Sequence, residues 1–205
     1  MEQINIHQVI NSVFSSNTFV LKNKQNDAYL IDIGDFEPIA QLGVKEIKGV
    51  FLTHVHYDHI YGLRKLLERF PNCPIYTSEW GVEALASDKL NFSRYHGDPL
   101  VIIGENVNAV HEGGNIELFE NISLEFFETP GHNKSCLTFK VGNNIFTGDA
   151  FIPGIKVVTT LPNANKTDAA ASQQRIISMA QGMNLYPGHG EVYLNYRYIN
   201  IKHDV

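Results

Sequence analysis

The segment that decides the fold reads Thr53-His54-Val55-His56-Tyr57-Asp58-His59. Three histidines and an aspartate occur there within six positions, directly after an apolar stretch. A buried imidazole prefers one polar partner, and four such groups crowded together favour a cation. The segment therefore predicts a metal site rather than ordinary core packing.

Three further residues of ligand type stand in turn-like sequences later in the chain. His132 ends the motif Thr-Pro-Gly-His, Asp149 ends Thr-Gly-Asp, and His189 lies in Pro-Gly-His-Gly. A glycine precedes each of them, and glycine lets the backbone turn sharply and bring a side chain close. We expect these three residues to complete the site that begins at residues 53–59.

His54 and His56 are the first pair of predicted metal ligands. They stand two positions apart on an extended or turning segment, so both rings can face the same side. Addition of His132 gives a site of three imidazoles, a set that suits Zn²⁺, Fe or Mn and leaves coordination positions open.

The remaining candidates predict a second metal site beside the first. Asp58, His59 and His189 would supply one carboxylate and two imidazoles. Asp149 can bridge two ions through both of its oxygens, with a hydroxide bridging them opposite. Ions in such sites stand roughly 3.5–4 Å apart.

The length of the chain predicts its domain organisation, and its charge excludes some classes of binding partner. The 205 residues fit a single domain over 1–205 with a substantial core. Sixteen basic and 22 acidic residues give a net charge of −6. Because the chain is acidic and has no run of Lys or Arg, we expect neither nucleic acid nor a membrane surface as its main partner.

The compartment is expected to be the cytoplasm. The two cysteines, Cys73 and Cys136, give no disulfide framework and no Cys-x-x-Cys metal motif. The first residues are too polar for a secretory signal, and no stretch approaches eighteen uninterrupted apolar residues.

Hydrophobic periodicity predicts strands that alternate with helices. Strands are predicted at 3–10, 17–21, 28–33, 47–53, 74–77, 107–111, 116–118, 122–128, 136–141, 145–147 and 185–186. Helices are predicted at 37–42, 59–70, 79–86 and 168–181, with Ser78 and Thr167 as N-caps of the last two. Residues 88–100 have no period and predict a long loop, which in a compact domain is often a functional lid.

The order of the motifs resembles that of the metallo-β-lactamase-fold superfamily. His-x-His-x-Asp-His is followed by Thr-Pro-Gly-His, Thr-Gly-Asp and Pro-Gly-His-Gly, from about the first strand to His189. The resemblance implies an α/β fold, a four-layer αβ/βα sandwich of two mixed β-sheets flanked by helices, with the metals at the edge between the sheets. The pairing of Asp58 with His59 is similar to glyoxalase II-like (hydroxyacylglutathione hydrolase-like) proteins.

This resemblance implies a metal-dependent hydrolase with two divalent ions. Zn²⁺ is the expected metal, and Fe or Mn are alternatives. A metal-bridging hydroxide would attack a small acyl substrate: a thioester, ester or lactone. Asp58 is the expected catalytic residue, since it would ligate one ion and also orient or take up a proton.

Two departures from the glyoxalase pattern bear on the substrate. Residues 150–156 stand where those relatives usually carry a glycine-rich stretch with an arginine, and Lys156 is a candidate for the anion contact. Only sixteen residues follow His189, so we expect no C-terminal glutathione-binding domain and no glutathione thioester as substrate.

Several residues near the motifs are candidates for substrate contacts. They are Tyr57, Tyr95, His96, Asn133, Lys134, Ser135 and Lys156. Packing or solvation explains each of them equally simply. Tyr193, Tyr196 and Tyr198 alternate near the end of the chain and could dock on the body or on a second subunit of a homodimer.

Three alternative functions remain at the level of sequence. A persulfide dioxygenase would use one iron on His54, His56 and His132. A phosphodiesterase or ribonuclease of the same fold needs a basic docking surface, and the sequence shows none. A non-catalytic binding module would be expected to have lost ligands, whereas all seven candidates are present.

Overall fold

The computed structural model describes residues 4–198, which form eleven strands and four α-helices. The strands are β1 (Asn5–Ile10), β2 (Asn17–Lys22), β3 (Asp27–Ile31), β4 (Glu46–Phe51), β5 (Ile75–Thr77), β6 (Val107–Ala109), β7 (Asn115–Phe119), β8 (Ile122–Glu128), β9 (Leu137–Val141), β10 (Asn144–Gly148) and β11 (Asn184–Pro187). The helices are α1 (Phe36–Gln41), α2 (Leu63–Arg69), α3 (Glu79–Leu85) and α4 (Lys166–Ala180). Short 3₁₀ turns form at Tyr57–His59 and Ser93–His96.

The strands build two mixed sheets. The first has the order β1-β2-β3-β4-β5-β6, antiparallel from β1 to β3 and parallel from β3 to β6. The second has the order β11-β10-β9-β8-β7, in which only the β10–β11 pair is parallel.

Side chains that alternate along the strands divide the core into layers. In β2, Phe19 and Leu21 pack between the two sheets against residues such as Phe139 of β9 and Phe146 of β10. Val20, on the opposite face of the same strand, packs with the apolar faces of α1, α2 and α3. This period of two is the ordinary pleat of a strand.

The outer face of the second sheet is covered by α4. Ile145 of β10 and Leu185 of β11 pack there against Ile176 and Ala180 of the helix. The order of layers is therefore α1–α3, first sheet, second sheet and α4. The predicted four-layer sandwich is confirmed.

The helix predicted at 59–70 is wrong in its first turns, since α2 begins only at Leu63. The reason is Gly62, whose N–H donates to the Ile33 carbonyl at 3.2 Å. A Cβ on that glycine would lie 2.0 Å from the Gly34 carbonyl oxygen. This close crossing with the segment after β3 separates the 3₁₀ turn at Tyr57–His59 from α2.

Other boundaries differ for local reasons. The strand predicted at 28–33 ends at Ile31, because Asp32 adopts a left-handed φ of 57°. Asn165 caps α4 in place of Thr167, and its side-chain oxygen accepts from the N–H groups of Thr167 and Asp168. The predicted loop 88–100 contains the turn Ser93–His96. The first predicted strand begins at residue 3, which lies outside the described residues.

Two further sequence expectations concern the surface. Tyr196 is buried beside Phe151, whereas Tyr193 and Tyr198 are exposed. Within residues 4–198, none of the helices combines the length and apolar character needed to cross a membrane.

Candidate metal centre

The seven predicted ligands lie at the edge where the two sheets meet. The segment with His54, His56, Asp58 and His59 follows β4, and His132 lies in the turn between β8 and β9. Asp149 follows β10 and His189 follows β11. Backbone hydrogen bonds connect these segments; for example, the Leu137 N–H donates to the Thr53 carbonyl at 2.7 Å. Local strand ends therefore bring distant parts of the chain to one place.

His54, His56 and His132 form the first group. Their ligand atoms lie within 4.8 Å of one another. Nδ1 of His56 and Nε2 of His132 are 2.9 Å apart. All three side chains are buried.

Asp58, His59 and His189 form the second group, at a more open position. The distances are 3.3 Å from Asp58 Oδ2 to His189 Nε2, 3.4 Å from Asp58 Oδ2 to His59 Nε2, and 3.4 Å between the two Nε2 atoms. Donor atoms at about 2.0–2.1 Å from one tetrahedral ion stand about 3.3–3.4 Å apart. The triangle therefore has the dimensions of one face of a tetrahedral coordination shell.

Asp149 lies between the two groups. Its Oδ2 is 3.6 Å from His132 Nε2 and 3.4 Å from His189 Nε2, and its Oδ1 is 3.6 Å from His59 Nε2. One carboxylate thus faces a ligand atom of the first group and two of the second.

Two buried polar atoms of the cluster have no hydrogen-bond partner. They are Nε2 of His54 and Oδ1 of Asp149. Buried polar atoms are rarely left unpaired in folded proteins. Both atoms belong to the cluster, so a cation there would satisfy them. The residues present fit divalent metal ions.

Asp32 is the residue that sequence reasoning missed. Its Oδ2 accepts from Nδ1–H of His59 at 2.9 Å and from the Thr53 hydroxyl at 2.7 Å, and its Oδ1 accepts from the Thr53 N–H at 2.7 Å. Thr53 Oγ1 in turn contacts Nδ1 of His54 at 3.2 Å. A single buried carboxylate therefore orients one imidazole of each group, with the Nε2 atoms directed inward.

Asp32, His54 and His59 form a third group whose ligand atoms lie within 4.8 Å of one another. Oδ2 of Asp32 faces Nδ1 of His59, on the opposite side of the ring from the Nε2 that faces Asp58 and His189. All three hydrogen bonds to this carboxylate already come from protein groups. Asp32 thus acts as a support for the ligands.

Backbone carbonyls orient two other imidazoles in the same way. Nδ1 of His132 donates to the Val158 carbonyl at 3.0 Å, and Nδ1 of His189 donates to the Phe14 carbonyl at 3.1 Å. In both rings Nε2 is left to face the cluster. Such outer hydrogen bonds fix the tautomer of a metal-binding histidine.

Asn133 and Ser135, candidates for substrate contacts in the sequence, are fully buried. The Asn133 side-chain amide lies 2.9 Å from Nε2 of His56, and its oxygen accepts from the N–H and hydroxyl of Ser135. The structure therefore places both residues behind His56, without surface for a substrate.

The glycines before the late ligands act in two different ways. Gly148, before Asp149, has a left-handed φ of 49°, and a Cβ there would be 2.3 Å from Thr53 Oγ1. Gly188, before His189, needs space instead, since its Cβ would lie 2.1 Å from Asp149 Oδ1. The second glycine lets the shared carboxylate approach the backbone of β11.

The electrostatics of the two groups differ. Burial and neighbouring imidazoles lower the pKa of His54, and they lower the pKa of His56 to about 3. Burial opposes protonation of His59, but Asp58 and Asp149 raise its pKa well above the ordinary value. The same carboxylates, against burial, raise the pKa of His189 to about 9.

The carboxylates of the second group show the reciprocal effect. Burial alone would raise the pKa of Asp58 and Asp149, but His59 and His189 hold both pKa values well below the usual range. His54 and His56 are thus neutral imidazoles, whereas in the second group carboxylates face imidazolium rings at neutral pH.

The candidate substrate residues lie at three different places around the cluster. Tyr57 is almost buried, and its hydroxyl donates to Asp98 at 3.1 Å. Burial and Asp98 raise the pKa of Tyr57 to about 12. His96 is exposed and stacks on the Tyr57 ring at 4.6 Å. Lys156 borders a small cavity together with His132 and Asp149.

The fold and the cluster define an α/β protein with a paired His/Asp metal-type site. The model of the Metallo-beta-lactamase superfamily matches residues 11–196. The chain belongs to that superfamily.

Two relatives and two solved structures illustrate the similarity. The chain is 31% identical over 197 residues to a probable metallo-hydrolase of Streptococcus pyogenes serotype M6, covering 90% of this chain and 83% of that protein. It is 25% identical over 178 residues to a hydroxyacylglutathione hydrolase of Tolumonas auensis, covering 84% of this chain and 61% of the hydrolase.

The solved structures share the fold at low sequence identity. The BLEG-1 B3 metallo-beta-lactamase superposes with a TM-score of 0.82 at 22% identity, covering 92% of this chain and 93% of the other. TTHA1623, solved in a di-iron-bound form, gives a TM-score of 0.77 at 24% identity, with 92% and 94% covered.

Proposed function

We propose that this protein is a hydrolase that uses two divalent metal ions to cleave a small acyl substrate, a thioester, ester or lactone. His54, His56 and His132 hold one ion, and Asp58, His59 and His189 hold the other. Asp149 is shared between them. Zn²⁺ is the metal that we expect for this set of nitrogen and oxygen ligands, and Fe and Mn are the alternatives.

One observation carries the proposal: a complete second group of ligands stands beside the first. The 3.3–3.4 Å spacing of the Asp58, His59 and His189 donor atoms supports a second ion rather than a purely structural ion pair. The names of the relatives, a probable metallo-hydrolase and a hydroxyacylglutathione hydrolase, support hydrolysis as the reaction. A single-iron oxygenase would not need this second group.

The metal ions would supply an activated water and polarise the carbonyl oxygen of the substrate. The protein positions this chemistry through the Asp32 network and the carbonyls of Val158 and Phe14, which hold four imidazoles by Nδ1. Asp58 and His189 keep 13% and 21% of their side chains exposed, so the second group forms the side open to substrate.

Asp58 is placed to act on a proton as well as to bind metal. It lies at the boundary between the cluster and solvent, where a carboxylate can orient water or accept its proton. In the overall reaction water forms a new C–O bond and the C–S or C–O bond of the substrate breaks. The products are a carboxylic acid and a thiol or an alcohol, which takes up the second proton of the water; a lactone gives both groups in one product.

Metal analysis together with a substrate panel tests the proposal. We expect two ions per chain and turnover of thioesters, esters or lactones. Replacement of Asp58 or His59 by alanine should remove the second ion and most of the turnover, whereas His111→Ala, an exposed histidine outside the cluster, should change neither.

Three results would overturn the proposal. The first is one iron per chain with oxygen uptake on a persulfide. The second is turnover of a phosphodiester or a β-lactam alone. The third is an Asp58→Ala variant that works at the wild-type rate.

A further inference from the structure

An apolar cleft of about 470 Å³ opens beside the metal centre. Its walls include the side chains of Phe14, Leu90, Phe92, Tyr95 and Leu161. They come from the turn after β1, from the aperiodic segment 88–100 and from the segment before α4. The volume lies in the range of small-molecule sites, about 300–1,000 Å³.

Two residues in the walls of the cleft contact candidate metal ligands directly. The Phe92 ring lies 4.9 Å from the His56 ring, measured between centroids. The backbone carbonyl of Phe14 accepts the hydrogen bond from Nδ1 of His189 at 3.1 Å. The walls of the cleft thus contact one candidate ligand of each group, which places the cleft next to the cluster.

The aromatic walls are held by unusual backbone conformations. Phe14 and Phe92 adopt left-handed φ values of 52° and 65°. Bulky residues rarely occupy this region, and such strain concentrates at ligand sites. At Phe14 the strained residue serves two purposes, since its carbonyl orients His189 and its ring lines the cleft.

The exposed surface of the cleft is apolar and nearly uncharged. Phe14, Tyr95 and Leu161 expose 67%, 64% and 40% of their surface, which is unusual for large apolar residues. Of the described residues that line the cleft, Lys89 is the only one with a permanent charge. This lining matches a hydrocarbon group rather than a carrier with several carboxylates.

We propose that this cleft binds the acyl chain of the substrate and selects apolar acyl groups of medium length or aromatic acyl groups. The inference rests on the proposed hydrolase function. In a thioester or ester of an apolar acid, the acyl group is the hydrocarbon part, whereas the carrier is usually polar and suited to solvent.

The test uses a series of thioesters of N-acetylcysteamine with acetyl, butanoyl, hexanoyl and octanoyl groups. Because each buried methylene favours binding by about two- to fourfold, kcat/KM should rise at least about tenfold from acetyl to octanoyl. Leu161→Asn and Tyr95→Asn should lose about tenfold on octanoyl and change acetyl turnover less than about twofold. Both side chains are exposed in the wall of the cleft.

The matched control is Leu194→Asn, since Leu194 is exposed but does not line the cleft. A second measurement does not depend on turnover. The ketone S-(2-oxononyl)-N-acetylcysteamine cannot be hydrolysed and matches the octanoyl thioester. In calorimetry it should bind chelator-treated protein more tightly than the 2-oxopropyl analogue, which matches the acetyl thioester. Leu161→Asn should reduce that difference.

The outcomes separate this inference from the proposed function. Equal turnover across the acyl series, with equal binding of both ketones, would overturn the cleft inference and leave the hydrolase intact. Chain-length-dependent ketone binding without turnover of any thioester, ester or lactone would support the cleft and reject the hydrolase.

Discussion

Replacement of Asp32 by asparagine tests whether this buried carboxylate controls the metal centre from behind its ligands. The carboxylate accepts three hydrogen bonds, at 2.7 Å from the Thr53 N–H, 2.7 Å from the Thr53 hydroxyl and 2.9 Å from Nδ1–H of His59. Asparagine has the same shape but only one acceptor oxygen. In either orientation its NH₂ group must face a group that donates to Asp32.

The magnitude follows from the two possible orientations. If the NH₂ group faces the Thr53 N–H, a buried donor is left unpaired, which costs about 1–3 kcal/mol of stability. If it faces His59, the ring must accept at Nδ1 and place its proton on Nε2, the atom that meets Asp58 and His189. Loss of such an outer hydrogen bond typically weakens metal binding about 10- to 100-fold.

The assay is competition for metal against a chelator of known affinity, with metal per chain measured after equilibration. We expect Asp32→Asn to lose at least about tenfold in affinity at the second site. Asp35→Asn is the matched control, because Asp35 also accepts three hydrogen bonds, from the N–H and hydroxyl of Ser12 and from Tyr61. An Asp32→Asn protein that binds two ions with unchanged affinity would refute this reasoning.

Three further predictions follow from the geometry and charges of the cluster. Gly188→Ala should displace Asp149, because the new Cβ would lie 2.1 Å from Asp149 Oδ1. Metal affinity at both sites should fall by about tenfold or more in the same competition assay. A change at one site alone would argue against a shared carboxylate. Because the pKa of His59 is raised and that of His189 is about 9, metal binding at pH 7.5 should release about two protons, measured by calorimetry in buffers of different ionisation enthalpy. No proton release would contradict the charged second group. The pKa of His189 is about 9 in the folded protein against an ordinary 6.5. Protonated His189 therefore stabilises the chelator-treated protein fully below about pH 6.5, and this stabilisation is lost as pH rises through 9. The free energy of unfolding, measured with urea, should fall by at most about 3 kcal/mol over that range. His189→Gln should show a correspondingly smaller decline over that range.

The resemblance of the motifs to the metallo-β-lactamase-fold superfamily predicted the layers of the fold. The structure shows these layers in β2, where Phe19 and Val20 alternate between two distinct cores. Hydrophobic periodicity could not place the start of α2. Ile60 continues the helical pattern, but the contact between Gly62 and the Gly34 carbonyl comes from a tertiary crossing that no local period records. A single close approach overrode the pattern there.

The sequence was sufficient to predict which candidate ligands form each group. It was not sufficient to predict the hydrogen bonds to Asp32 that orient them. Asp32 stands in an apolar run, and hydrophobic periodicity includes it in the predicted strand 28–33. A lone carboxylate in such a run should itself be a signal, since burial of an unpaired charge is costly and demands partners. The partners, Thr53 and His59, are more than twenty residues away and could not be assigned without the fold.

The cleft escaped prediction for a different reason. Its walls include Phe14, Leu161 and residues of the segment 88–100. All of them lie in connecting segments whose sequences show no hydrophobic periodicity. Sequence reasoning identified that segment as a long loop and His96 as a candidate substrate contact, but not the apolar surface that Phe92 and Leu90 build with distant residues.

The pairing of His59 with His189 joins positions 130 residues apart. A ribosome that adds about 5–20 residues per second needs about 6–26 s to extend the chain from one histidine to the other. During that interval the nascent chain presents His54, His56, Asp58 and His59 without a complete set of partners. Both ligand groups with their shared carboxylate therefore exist only after β11 has emerged. The two ions of the proposed function would accordingly bind after synthesis of almost the entire described chain.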